Sequence, residues 1–372
     1  MGYLTRTLLC RGLLFAVAIA LAGWAGDAAR AQSPTAQQVE GREVADPGPS
    51  QGRVPGNVLG NTSQTEVWRA IRLGVTGKVS IPNKQAEVLV QAEGDRWRDF
   101  RNDVLKPYGG WVIGAVLAVL LLFYLFRGRI RIEAGAAGKT VERFNNLDRF
   151  AHWVMAVCFI ILALTGMNLL WGRHVIIPLL GKDAFATLAM LGKYAHNYVA
   201  FPFILGVLLM FVRWLRHNIP NRDDLRWLSQ AGGLFTKGVH PPARKFNAGQ
   251  KVVFWSVALG SVFLATSGLA MMFPTDWPFW GLTFRLLGSL GIDNLPAEVT
   301  PLLERQLNTV WHAAMALLMS AVVLGHIYIG SLGMEGAFDA MGSGQVDKNW
   351  AREHHSLWLA EVENKSMAGE KS

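Results

Sequence analysis

Charge is scarce in this chain. Asp, Glu, Lys and Arg make up 17% of its 372 residues, where soluble domains average about 25%. That shortage argues against an ordinary soluble enzyme, and a 51% hydrophobic content argues against disorder or a collagen-like chain. Cysteine is scarcer still, with only Cys10 and Cys158. Two thiols cannot build an iron–sulfur cluster or a Cys-rich zinc site, and they make no disulfide scaffold. Internal repeats of the kind common in transporters are also absent.

The apolar residues are grouped. Five uncharged blocks occupy 107–126, 150–172, 194–212, 252–275 and 306–334. Each reaches about 20 residues, the length a helix needs to cross hydrocarbon at roughly 1.5 Å per residue. The net charge of +9, from 36 basic and 27 acidic residues, also has an address. Arg127 to Arg149 and Arg213 to Lys251 are basic loops, and 173–193 and 276–305 are sparser loops. The positive-inside rule makes the two basic loops cytoplasmic, so the surplus implies no nucleic acid.

The ends agree with this orientation. Arg6 and Arg11, the apolar stretch Gly12 to Gly26 and Ala29-Arg30-Ala31 read as a signal peptide over 1–31. Residues 32–106 read as a periplasmic segment. It includes short strands near Val79–Pro82 and Val88–Val90 and an amphipathic helix over Asp95–Leu105. The mature N-terminus is then periplasmic, and residues 336–372 form a cytoplasmic tail. Deleting the leader removes Cys10.

Nine histidines are present. His174, His217, His240, His354 and His355 fall outside the blocks, where a solvated imidazole needs no explanation. His152, His196, His312 and His326 fall inside, where an ionisable group is costly and points to function. A single such histidine could instead hydrogen-bond a neighbouring helix. Their depths weigh against that: His152 and His326 lie toward the cytoplasmic face, His196 and His312 toward the outer one. His312 and His326 are 14 residues apart, about 1400° of helix and within roughly 40° of four full turns. Both therefore share a face, about 21 Å apart along the axis. This suits two stacked haems, each with a ligand from the last span, and not one compact metal site. Depth pairs His196 with His312 and His152 with His326. Gly166 falls on the His152 face at the outer depth, where it serves close haem approach or plain helix packing. Bis-imidazole haems carry electrons and bind no oxygen. The chain has no C-x-x-C-H, so they are non-covalent b-type haems.

Several stretches resemble a known family, the gamma subunit (cytochrome b) of respiratory formate dehydrogenase. They are Asp148-Arg149-Phe150-Ala151-His152-Trp153, Phe211-Val212-Arg213, His217-Asn218-Ile219-Pro220, Lys245-Phe246-Asn247-Ala248-Gly249-Gln250-Lys251 and Phe254-Trp255-Ser256. His312-Ala313-Ala314, Gly325-His326-Ile327-Tyr328 and Trp350-Ala351-Arg352-Glu353-His354-His355 complete the set. The resemblance covers roughly Val141 to Trp358. It implies an all-α membrane protein: a four-helix di-haem cytochrome b bundle over 141–335, here with one extra N-terminal transmembrane helix at 107–126. It implies haem ligation by His152, His196, His312 and His326. It also implies a quinone site, for menaquinone or ubiquinone, at Asn247, Gly249 and Gln250 beside His326. A plain helix cap, with Asn247 as N-cap, is the structural alternative for that loop.

The resemblance further implies partners: an iron–sulfur beta subunit and an alpha subunit with molybdenum or tungsten, where formate is oxidised. Electrons would cross the bacterial inner membrane from the outer haem to the inner haem and then to quinone. The cytochrome b of a nickel–iron hydrogenase or a related respiratory reductase shares the four-helix di-haem plan. A haem-free membrane anchor or transporter is the alternative of another class.

Overall fold

The computed structural model describes residues 97–292, 295–296 and 299–369. The expected leader over 1–31, the segment up to residue 96 and its expected strands lie outside the described residues. The chain is an all-α membrane bundle. Four helices are long and apolar enough to cross a bilayer, and one of them, Asn146–His217, has 72 residues.

That length is explained by a fold-back. Helix α2, Asn146–Trp214, has one non-helical residue, Gly181, at φ 85° and ψ 174°. Only glycine adopts this region without strain. Contacts across the turn pair its two arms, 146–180 and 182–214. Asp148 meets Arg213 at 2.5 Å, Thr165 meets His196 at 2.9 Å, and Asn168 donates to the Leu188 carbonyl at 3.2 Å. The arms are therefore antiparallel spans. The loop expected at 173–193 does not exist: helix continues to within a residue of Gly181 on either side. Arg173, Lys182, Asp183 and Lys193 look like loop residues in the sequence but sit on helix.

Helix α1, Lys106–Arg127, is the extra span. Its 22 residues rise about 33 Å, enough for hydrocarbon about 30 Å thick. It ends at Gly128, whose φ of 68° lets its N–H close back onto the Tyr124 carbonyl at 2.8 Å. The expected short helix before it is not separate: Phe100–Leu105 forms a π-helical turn leading directly into α1.

Helix α3, Arg222–Ser229, is set by a capping box between Asn221 and Asp224. The Asp224 carboxylate also takes the buried Lys251 ammonium at 2.9 Å, which ties this loop to the start of α4, Ala248–Met272. Helix α5, Phe279–Ser289, occupies part of what reads as a loop over 276–305. Helix α6, Pro301–Tyr328, is the last span.

Two compact units divide the described residues, one of 97–105 with 266–311, the other of 106–265 with 312–369. In the first, the buried Glu304 carboxylate accepts the Trp280 and Gly281 N–H groups at 2.7 and 3.0 Å and so caps α5. The second holds all four histidines of the spans.

Its core is densest at one end of the spans. Phe144, Trp214, Phe246, Val346, Trp350 and Trp358 cluster near the basic loops. The α1 surface is apolar and exposed, with Trp111 at 76% and Phe126 at 86%. Lipid solvates such a surface, so it need not be buried as it would be in water. The segment expected as a cytoplasmic tail, from 336, packs into this core through Ala340, Val346, Trp350 and Trp358. Strand β2, Gln345–Asp347, pairs antiparallel with β1, Thr140–Glu142, placing Val346 opposite Val141. Helices α7, Lys348–His354, and α8, Ser356–Gly369, follow.

Candidate functional site

The arms of α2 and helix α6 bring the four histidines together as two pairs. The rings of His152 and His326 have centroids 6.2 Å apart with planes at 64°. Those of His196 and His312 are 6.1 Å apart at 66°. Two imidazoles on opposite sides of one metal ion would lie about 6.4 Å apart. That figure takes a metal–nitrogen bond of about 2.0–2.1 Å on each side and roughly 1.2 Å from nitrogen to ring centre. Both pairs match that spacing. Among the described residues no group of three or more His, Cys, Asp or Glu is arranged to hold a metal. Two facing imidazoles without further ligands are what an iron already held by a porphyrin requires.

The surroundings of the four rings differ. The His152 Nδ1 is buried with no hydrogen-bond partner among the described residues. That nitrogen therefore makes no hydrogen-bonded bridge between helices. His196 does bond the neighbouring arm. The Thr165 hydroxyl donates to the Ile161 carbonyl at 2.7 Å, so it accepts the His196 Nδ1–H at 2.9 Å. A hydroxyl has one hydrogen, so this network assigns the ring proton to Nδ1, and the Leu162 carbonyl also bonds the ring. His312 is held by the backbone carbonyl of Leu264. Thr165 carried no signal of its own in the sequence; its place beside His196 depends on the fold-back at Gly181. Gly166 packs against His196: an added Cβ would lie 3.4 Å from Cε1 of that ring.

A cavity of about 740 Å³ adjoins the His152/His326 pair, within the range of ligand sites. His152, His326, Asn247, Gly249 and Gln250 all line it. The expected haem pair and the expected quinone loop thus share one apolar space.

The loop is also a helix cap. The Asn247 Oδ1 accepts the Gln250 N–H at 2.9 Å, and the Gln250 Oε1 accepts the Asn247 N–H at 3.1 Å. This reciprocal box starts α4. It consumes both amide oxygens, so both side-chain NH₂ groups remain as donors, and no described residue accepts from either. Gly249 lies against Trp227, whose ring would be 2.9 Å from an added Cβ. Trp227 also lines the cavity, and the sequence reading did not single it out.

His354 and His355 differ from expectation. They are not solvated, and both line the cavity. The His355 Nδ1–H donates to the Arg244 carbonyl at 2.7 Å, and its Nε2 accepts from the buried Arg143 at 3.0 Å. Burial, then the Arg143 charge, holds the His355 pKa well below its usual value. Arg143 itself is pushed down to about 9 by burial. Its guanidinium lies over Phe144, Trp350 and Trp358, with the Trp358 ring centre 5.0 Å away.

The family described as prokaryotic cytochrome b561 matches residues 143–344. The chain is 28% identical over 229 residues to the cytochrome b556(Fdn) subunit of the nitrate-inducible formate dehydrogenase of Escherichia coli K12. That alignment covers 60% of this chain and 93% of the relative. The cytochrome b556(fdo) subunit of formate dehydrogenase from the same strain is 29% identical over 224 residues, with the same coverage. The formate dehydrogenase cytochrome b556 subunit of Haemophilus influenzae is 24% identical over 224 residues, covering 59% of this chain and 83% of that one.

Proposed function

The chain belongs to the prokaryotic cytochrome b561 family, and from that premise we propose that it is the cytochrome b (gamma) subunit of a membrane formate dehydrogenase. In that role it passes electrons from a periplasmic iron–sulfur subunit to quinone near the cytoplasmic side of the inner membrane. One observation carries the proposal: two facing histidine pairs with ring spacings of 6.1 and 6.2 Å, the latter opening on a cavity lined by Asn247 and Gln250. The curated relatives are formate dehydrogenase subunits, which supports formate as the source of electrons.

His196 and His312 would hold one b-type haem, and His152 and His326 a second. Bound there, the haems supply one-electron carriage across the membrane. The chain's own residues do the rest. Thr165 and the Leu264 carbonyl orient the outer pair. The free amide NH₂ groups of Asn247 and Gln250 donate to a carbonyl oxygen of menaquinone or ubiquinone. The apolar lining excludes bulk water.

The basic loops at 127–149 and 213–251 are cytoplasmic by the positive-inside rule, which puts the quinone end inside and the C-terminus with it. Electrons crossing inward while protons are drawn from the cytoplasm build a potential worth about 2.3 kcal/mol per charge per 100 mV. The partners are the iron–sulfur beta subunit and the molybdenum or tungsten alpha subunit that oxidises formate.

The test is a reduced-minus-oxidised spectrum of membranes containing the intact complex, with formate as reductant. Two b haems per chain, both reduced by formate, are expected. A single haem, or haems that formate leaves oxidised, would overturn the proposal.

A further inference from the structure

Quinone reduction needs protons as well as electrons, and the cavity has few groups able to deliver them. Asn247 and Gln250 donate hydrogen bonds but do not release protons near neutral pH. Arg143 does not deprotonate there either. His152 and His326 are committed to the haem. Both Glu353 oxygens are taken by backbone donors, the Glu133 N–H at 3.0 Å and the Ala134 N–H at 2.9 Å. Both His355 nitrogens are taken, by Arg244 and Arg143. The Tyr328 hydroxyl is also buried with no hydrogen-bond partner among the described residues, but phenols ionise at about pH 10, so it reloads slowly. One imidazole is left. His354 lines the cavity, and its Nε2 is buried with no partner among the described residues.

Behind His354 lies a path to water. Its ring centre is 6.1 Å from that of His240, with planes at 82°. His240 is bonded through Nε2 to the Glu133 carboxylate at 3.1 Å. The His240 and Glu133 side chains are 30% and 42% exposed, so this end meets solvent. Glu133 also accepts the Gly238 N–H at 2.7 Å, and Glu353 pins the Glu133 backbone. The surface end is thus fixed against the cavity end by α7.

We propose that Glu133, His240 and His354 form the route by which protons reach the quinone, with His354 as the last carrier. This rests on the quinone-reducing function proposed above. Reducing one quinone to quinol consumes two electrons, supplied by formate oxidation in the complex, and two protons. For each proton, an N–H bond of the His354 imidazolium breaks as an O–H bond forms on a quinone oxygen. The imidazole regains its proton from His240, which draws on solvent. The 6.1 Å between ring centres is spanned by ring rotation or one bridging water. The charged groups facing His354 are His240, Arg143 and Glu133. Burial first, then His240 and Arg143, holds its pKa at about 4. It therefore rests neutral and conducts a proton without storing one. The His240/His354 spacing resembles that of the haem pairs, but Glu133 already occupies the His240 Nε2.

The test uses the intact membrane complex carrying His354→Gln, His240→Gln or Glu133→Gln. Formate-driven haem reduction, binding of a quinone-site inhibitor, and formate-driven reduction of menadione and of a short-chain ubiquinone are measured. His354→Gln and His240→Gln should lower quinone turnover about 10-fold or more, with haem content, haem reduction and inhibitor binding intact. Added imidazole should restore turnover in His240→Gln, which a structural defect would not allow. Glu133→Gln should fall between these variants and wild type. Normal turnover in both histidine variants overturns the route. So does loss of haem or inhibitor binding in His354→Gln combined with normal turnover in His240→Gln. If formate fails to reduce the wild-type haems, the functional proposal itself falls, and the route with it.

Discussion

The Nδ1 of His196 lies 2.9 Å from the Oγ1 of Thr165, 31 residues earlier and across the fold-back at Gly181. The hydroxyl is itself anchored to the Ile161 carbonyl at 2.7 Å, so it can only accept from the ring. Accepting that proton makes the far ring nitrogen a stronger donor to a metal. Thr165→Val keeps the side-chain shape and removes the acceptor. The outer haem should then lose affinity, within the 10–100-fold typical of such outer-shell changes. Its reduction potential should rise, because a weaker donor favours the ferric state less. On the proposed two-haem reading, redox titration of the intact complex checks this; an unchanged outer potential would mean that Thr165 does not tune the ligand.

The two pairs should be separable by mutation. His326→Ala should remove the inner haem and leave an outer haem that formate still reduces, with quinone reduction lost. His312→Ala should remove the outer haem and block electron flow altogether. Haem content by pyridine haemochrome, together with quinone turnover, reads both outcomes. Normal quinone reduction by His326→Ala would reverse the assigned depths.

Gly181 carries the hairpin with backbone alone, since nothing lies within 4 Å of an added Cβ. Its φ of 85° with ψ of 174° is nearly exclusive to glycine. Gly181→Ala should therefore cost about 1–3 kcal/mol without any steric clash. Because His152 and His196 sit on opposite arms, that loss should appear as haem released at lower temperature. Following haem absorbance during heating measures it; an unshifted release temperature would show that the turn is not strained by a side chain.

How much of this was legible beforehand depended on where charge reports environment faithfully. The spans were legible because lipid tolerates no charge over about 20 residues, and α1 and both arms of α2 fall where uncharged blocks stand. The turn was not, because Arg173, Lys182, Asp183 and Lys193 mimic a loop while sitting on helix. The 350–358 stretch misled for the opposite reason. Its ionisable residues looked solvated, yet His355 is 1% exposed and satisfied by Arg143 and the Arg244 carbonyl. Partners more than 100 residues away are invisible to local pattern. The cap reading of the Asn247 loop is met by the reciprocal bonds with Gln250, and the same residue lines the cavity, where its quinone role rests on the proposal above.

Acid should destabilise the end of the bundle near the basic loops. The His355 pKa is held below its unfolded value by burial and by Arg143, and the His354 pKa falls to about 4. A histidine kept neutral in the folded state contributes stability fully above the unfolded pKa of about 6.5. That contribution is lost as pH falls below 6.5 toward the folded values. Thermal stability should therefore decline below about pH 6.5. His355→Gln, which cannot protonate, should decline less steeply, though from a lower starting point. Melting curves from pH 5 to 8, a range chosen to bracket roughly the ordinary histidine pKa, check the sign. An equally steep decline in the variant would place the acid sensitivity elsewhere.

The double use of Asn247 gives the sharpest test of the quinone loop. Asn247→Ala removes both the oxygen that caps α4 and the NH₂ proposed to donate to quinone, so its effect would be ambiguous. Asn247→Asp separates the two. A carboxylate caps a helix as well as an amide, so the bond from the Gln250 N–H should persist and stability should hold. The NH₂ donor is gone, and a negative charge replaces it beside the quinone oxygen that gains electron density on reduction. Asn247→Asp should therefore retain both haems and wild-type melting while losing most quinone turnover. Asn247→Ala should lose the turnover and about 1 kcal/mol of stability besides. Formate-driven haem reduction, melting temperature and quinone turnover, measured together on both variants, distinguish the roles. Full turnover in Asn247→Asp would leave Asn247 as a helix cap alone and would move the quinone contact to Gln250 or to the backbone.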